Sequence, residues 1–122
     1  MLRMMERINY EKVKRVRMGK PGDMHTSENI KIVETAAEKK GYNVKRVVIT
    51  GDNYRVYKSS KYPYNIKNKT CNAEMVIEEN GKCYLLQFQI VKEYQGGGTY
   101  GKGFVPFKWG EKEEILCRNV SK

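Results

Sequence analysis

The chain has 122 residues and a formal net charge of +10, with 39% hydrophobic, 11% aromatic and 31% charged residues. That length suits a single basic α+β domain spanning residues 1–122, and a mean hydropathy of -0.74 points to a thin core. No stretch approaches the ~20 apolar residues of a membrane-spanning helix, and the first residues lack an apolar signal-type run, so no membrane contact and a cytoplasmic setting are expected.

Residues 4–18 fit either a helix, with Met5, Ile8, Val13 and Val16 near helical spacing, or a short strand over KVKRVRM. Gly19, Pro21 and Gly22 then interrupt the chain. The spacing predicts a helix over 27–40: Thr26 as N-cap, Glu28 in the first turn, an apolar stripe of Ile30, Val33, Ala36 and Ala37, and Gly41 beyond the last turn. VKRVVIT (44–50) reads as a strand, Gly51 to Asn53 as a turn, and Tyr54 to Lys58 as the partner strand. A polar loop follows from Ser59 to Thr70.

The clearest pattern is CNAEMVIEENGKCYLLQFQIV, from Cys71 to Val91. Asn80-Gly81 is the preferred two-residue hairpin turn, and its register sets Glu74 opposite Gln87. Alternation puts Met75, Ile77, Tyr84, Leu86, Phe88 and Ile90 on a core face, and Glu74, Val76, Leu85, Gln87 and Gln89 on the other. The expected fold is therefore a small antiparallel sheet with a packed helix.

GGGTYGKG (96–103) comes near a phosphate-binding loop but ends in Gly103 where Ser or Thr should stand, and reads as a flexible glycine loop. The tail from Glu111 to Val120 fits a short helix or a strand. Cys71, Cys83 and Cys117 are odd in number, widely spaced and without a C-x-x-C pair, so they read as strand or core packing. With His25 the sole histidine, beside a helix start, no zinc site is expected.

The positive charge is concentrated. Arg3, Arg7, Lys12, Lys14, Arg15, Arg17 and Lys20 face only Glu6 and Glu11 within residues 1–20, and residues 42–70 set seven basic side chains against Asp52 alone. The second segment also holds Tyr42, Tyr54, Tyr57, Tyr62 and Tyr64. Cations neutralise phosphates and exposed rings stack on unpaired bases. Candidate phosphate contacts are Arg15, Arg17, Lys45, Arg46, Arg55, Lys58, Lys61, Lys67 and Lys69, with Tyr54, Tyr57, Tyr62 and Tyr64 as stacking groups. Nucleic acid is the expected partner and no cofactor is needed. An acidic protein surface would satisfy the same electrostatics, as for a protein-binding inhibitor of a nuclease.

An acidic residue on one hairpin strand facing a motif on the next, after a helix that carries a further Glu, resembles the PD-(D/E)XK nuclease superfamily over roughly residues 27–91. The resemblance implies magnesium-dependent cleavage, with Glu74 as strand acid, Gln87-Phe88-Gln89 in the E-x-K position and Glu28 as helix acid. Gln87 stands where that family has a carboxylate, and Gln89 where it has the lysine.

Overall fold

Asn80 and Gly81 both take positive φ, 52° and 79°, and so close the hairpin on which everything else is assembled. The computed structural model describes residues 4–61, 65–106 and 112–120, apart from the side chains of 4–9. In chain order the elements are α1 (Met4–Arg15), α2 (Ser27–Lys39), β1 (Val44–Ile49), β2 (Arg55–Lys58), β3 (Ile66–Glu79), β4 (Lys82–Gly96), β5 (Thr99–Tyr100), β6 (Glu113–Ile115) and a 3-10 turn, Cys117–Asn119. This is the expected α+β architecture, with a largely antiparallel sheet of six strands and two helices among the described residues. The first segment, open between helix and strand, is helical through Arg15.

β3 and β4 pair from Asn68↔Glu93 to Glu79↔Lys82, in the register the turn dictates. β3 begins at Ile66, inside the stretch expected to be loop. Its polar start becomes strand because β2 and β4 pair with it on either side, so tertiary pairing outweighs composition.

The sequence pattern pairs β1 with β2 as a hairpin, and the structure does not. The two strands run in the same direction along one edge of β3, with Ile49↔Ala73 followed by Arg55↔Thr70. No reversal occurs at Gly51, because the N–H groups of Thr50 and Gly51 both donate to the Asn72 carbonyl (3.1 Å each) and the strand only kinks. A Cβ at Gly51 would sit 2.7 Å from Cys71 Sγ, so glycine permits the close approach.

α2 covers one face of the sheet. The Thr26 side chain accepts from the Asn29 N–H at its start, and Gly41 takes φ 75° after its end. Val33 and Ala37 are fully buried against Val47, Ile49, Ala73, Met75, Ile77 and Ile90. The other face carries a smaller core of Val76, Cys83, Leu85 and Ile115, packed by Val16, Met18 and Val120. Residues 16–25 pass from this second core around the sheet edge to α2. Gly22 N–H donates to Ile49 O (2.9 Å), and His25 Nδ1 accepts from Ile49 N–H (3.0 Å), so His25 caps an edge group.

The glycine segment is built rather than slack at its start. Gly96, Gly97 and Gly98 all have positive φ and turn the chain into β5, and Tyr94 packs edge-on to Tyr100 at 5.3 Å. The tail resolves into β6, paired with Cys83–Leu85 of β4, and the 3-10 turn. Cys117 is disulfide-bonded to Cys83 (Cα–Cα 5.3 Å), a bond that a packing-only reading of the cysteines missed. Cys71 remains a buried thiol. No helix among the described residues is long and apolar enough to cross a membrane.

Candidate nucleic-acid interface

Sheet parity decides which predicted site residues meet. Glu74, Gln87 and Gln89 share the face opposite α2, and Gln87 Nε2 donates to Glu74 Oε2 at 2.9 Å. The other Glu74 oxygen accepts the Gly19 N–H, so this buried carboxylate has both oxygens engaged. Gln89 Nε2 donates to Asn72 Oδ1 at 3.1 Å. Glu28 does not join them. It lies on α2, across the sheet, with its carboxylate 3.6 Å from Lys92 Nζ.

The resemblance implied magnesium, and the donors do not fit it. Glu74 brings one carboxylate, already tied to two N–H donors, beside neutral amides that are weak ligands for a hard cation. Among the described residues no three His, Cys, Asp or Glu side chains converge on a metal position.

The predicted basic surface divides in two. Arg46 pairs with Val76 and Arg55 with Thr70, six residues apart along β3. At ~3.3 Å per strand residue that is about 20 Å. Near the hairpin turn lie Lys45 and Arg46, with Arg15 at the end of α1 and Arg17 just beyond it, where Val16 packs on Val76. Here Lys45 is neutralised by Glu78 (2.8 Å), and Arg17 donates to the carbonyls of Lys14 and Val16.

At the other end are Arg55, Tyr57, Lys58, Lys61 and Lys67, all exposed, on β2, the loop after it and the start of β3. Tyr57 is 38% exposed, with the Arg55 guanidinium 5.5 Å from its ring centre. Tyr54 is withdrawn from stacking. Its hydroxyl donates to Asn29 Oδ1 (2.9 Å), and the ammonium groups of Lys69 and Lys92 lie 4.9 and 5.0 Å from its ring. Burial first, then Cys71 and Glu28, push its pKa up to about 12. Lys69 also sits 4.1 Å from the Tyr100 ring, so its charge is directed into aromatic faces. Tyr62 and Tyr64 lie outside the described residues.

Sequence reasoning did not anticipate the groove that joins the two predicted sets. It has a volume of about 980 Å³ and is lined by Tyr57, Lys58, Ser59, Ser60, Asn65, Ile66, Lys67, Asn68 and Thr70 on one side and by Leu86, Gln87, Phe88, Gln89, Val91 and Pro106 on the other. Cations at the rim with side-chain amides on the floor can hold a phosphate backbone and hydrogen-bond to base edges. Asn68 Oδ1, one lining group, is buried without a hydrogen-bond partner. The signal was present in the 2-residue period, which sets Asn68, Thr70, Gln87 and Gln89 on one face, but the early start of β3 was needed to extend it. Comparison with family models, characterised proteins and solved structures found no match to this chain.

Proposed function

We propose that the chain binds single-stranded nucleic acid in the groove between β2 and the middle of β4. The observation that carries this reading is the convergence of exposed Lys58, Lys67 and Tyr57 on a floor that includes Gln87 and Gln89. Lys58 and Lys67, with Arg55 beside them, contact phosphates; Tyr57 stacks on a base; the amides meet base edges. Arg15, Arg17, Lys45 and Arg46 are left out of the contact, because the hairpin-turn end is distant along β3 and partly neutralised.

The test is a salt-titrated binding assay with fluorescent oligo-dT and oligo-rU. Binding is expected to weaken as salt rises and to disappear in an Arg55→Glu/Lys58→Glu variant, while Arg15→Glu/Arg17→Glu binds as the parent does. Binding indifferent to salt, or abolished only in the second variant, overturns the assignment. No observation favours the metal-dependent nuclease.

The compartment is open to a direct measurement. Nucleic acid is abundant in the cytoplasm, the setting expected from the sequence, whereas the Cys83–Cys117 bond belongs to oxidising surroundings. Thiol trapping in cells, followed by electrophoresis, reads which state the pair holds.

A further inference from the structure

A second groove, of about 970 Å³, lies on the other side of the molecule, between α2 and the segment 100–105. Its floor is apolar: Ile32 and Ala36 from α2 meet Phe104 and Val105. Gly103 brings that segment close, since a Cβ there would lie 2.7 Å from Ile32 Cδ1. Phe104 is held by a two-bond bridge to Val91 (2.8 and 3.0 Å), yet its side chain remains 42% exposed. A fixed backbone therefore presents a large apolar ring to water at the mouth of an apolar trough.

The rim has one sign of charge. Lys31, Lys39, Lys40, Lys92 and Lys102 line the groove against a single acid, Glu28, whose carboxylate is already 3.6 Å from Lys92. The segregation is built into α2. Residues 28, 31, 32, 35, 36, 39 and 40 recur at helical spacing and line the groove, whereas Glu34 and Glu38 are exposed and do not. A merely solvated helix face has no reason to sort its charges in this way. None of the groove lysines belongs to the nucleic-acid set.

From this complementarity we infer that the groove docks an acidic amphipathic peptide segment of a partner protein. Aliphatic or aromatic side chains of that segment fill the floor, and its carboxylates meet the lysine rim. A polynucleotide answers the rim, and a base can stack on Phe104, but it brings at most a thymine methyl to the aliphatic floor of Ile32, Ala36 and Val105, which peptide side chains fill. The residues at 31, 35 and 39 lie one helical turn apart in succession, so the trough runs along α2 and matches a helix laid in a groove.

The test uses the intact chain, immobilised, and a displayed library of random 16-residue peptides. Selected sequences are expected to be net acidic with Leu, Ile, Phe or Trp at helical spacing. Synthetic copies should bind Lys31→Glu/Lys102→Glu at least tenfold more weakly. Phe104→Ser, checked for an unchanged melting temperature, should weaken them comparably. Arg55→Glu/Lys58→Glu, which disables the other surface, should leave peptide binding unchanged. Oligo-dT should not compete. Failure to enrich acidic amphipathic sequences, or affinity untouched by either groove variant, overturns the inference. So does equal binding by copies with the apolar residues changed to Ser, or displacement by oligo-dT, since either makes the groove a plain polyanion surface.

Discussion

Reducing the Cys83–Cys117 bond is a perturbation whose size follows from the fold. The bond joins residues 34 apart and anchors the 3-10 turn to β4. In the chain-entropy account, closing a loop of that size removes roughly 13 cal/mol/K from the unfolded ensemble, about 4 kcal/mol at 25 °C. For a domain of this length each kcal/mol moves Tm by about 4 °C, so reduction should lower Tm by about 15 °C. The native contacts do not compensate. Beyond Ile115, which is fully buried, the tail is held by β6 on three residues of β4, by Val120 on the second core, by an exposed ion pair between Lys112 and Glu79 (2.8 Å), and by Asn119 Nδ2, which donates to the carbonyls of Lys14 (2.9 Å) and Val16 (3.4 Å). Freed of the bond, that segment should also exchange its amide hydrogens faster than β3. The assay is thermal unfolding of the same protein with and without a phosphine reductant, with intact mass confirming the redox state. No core atom is replaced, so packing changes do not confuse the result. A Tm that moves by less than about 3 °C refutes the reasoning.

Four further outcomes are expected. A single neutral substitution, Lys58→Gln, which removes one phosphate interaction and leaves binding measurable, should flatten the slope of log affinity against log salt by about 0.7 for a single strand, read by fluorescence anisotropy. Glu74→Ala should cost about 1–3 kcal/mol in denaturant unfolding, since it strands the Gly19 N–H while the exposed Gln87 amide turns to water, and should remove no metal-dependent cleavage activity. Gly51→Ala places a methyl against Cys71 Sγ and the Asn72 backbone and should cost about 1–3 kcal/mol by the same measurement. Tyr54, with its pKa raised to about 12 by burial, Cys71 and Glu28, should show a phenol that ionises well above the usual value of 10.0 in ultraviolet titration, a step that Tyr54→Phe removes. Its proton is bound more tightly in the folded state, so its contribution to stability is complete below about pH 10 and fades as pH climbs towards 12.

The sequence was most informative where one local rule had no competitor. Asn80-Gly81 admits a single tight turn, and once it is placed the period of two assigns every hairpin side chain to its face, including the Glu74↔Gln87 pair. Thr26, the stripe through Val33 and Ala37, and Gly41 bounded α2 for the same reason. Non-local information was what failed. Nothing in Gly51 to Asn53 says that β1 and β2 share one long neighbour, because a kink and a reversal use the same residue types. The start of β3 is polar and becomes strand only through pairing. Cysteine spacing does not reveal that β6 and the 3-10 turn return Cys117 to Cys83.

The face that a helix covers decides the chemistry, and it is the least local feature of all. Glu28 and Glu74 belong together only if α2 lies over the Glu74 side. The chain crosses the sheet edge at Gly22 to His25, where Ile49 takes both the Gly22 donor and the His25 acceptor, so α2 lands on the opposite face. That crossing separates two carboxylates that the resemblance would unite. It also leaves the amide-floored groove on one side of the sheet and the lysine-rimmed trough on the other. Because neither surface shares a lining residue with its counterpart, the two proposed contacts are not mutually exclusive. A selected peptide and oligo-dT should therefore bind one molecule together, and sedimentation of a ternary complex measures it. Strict competition between them would mean that charge alone, and not the architecture of two faces, governs what this protein holds.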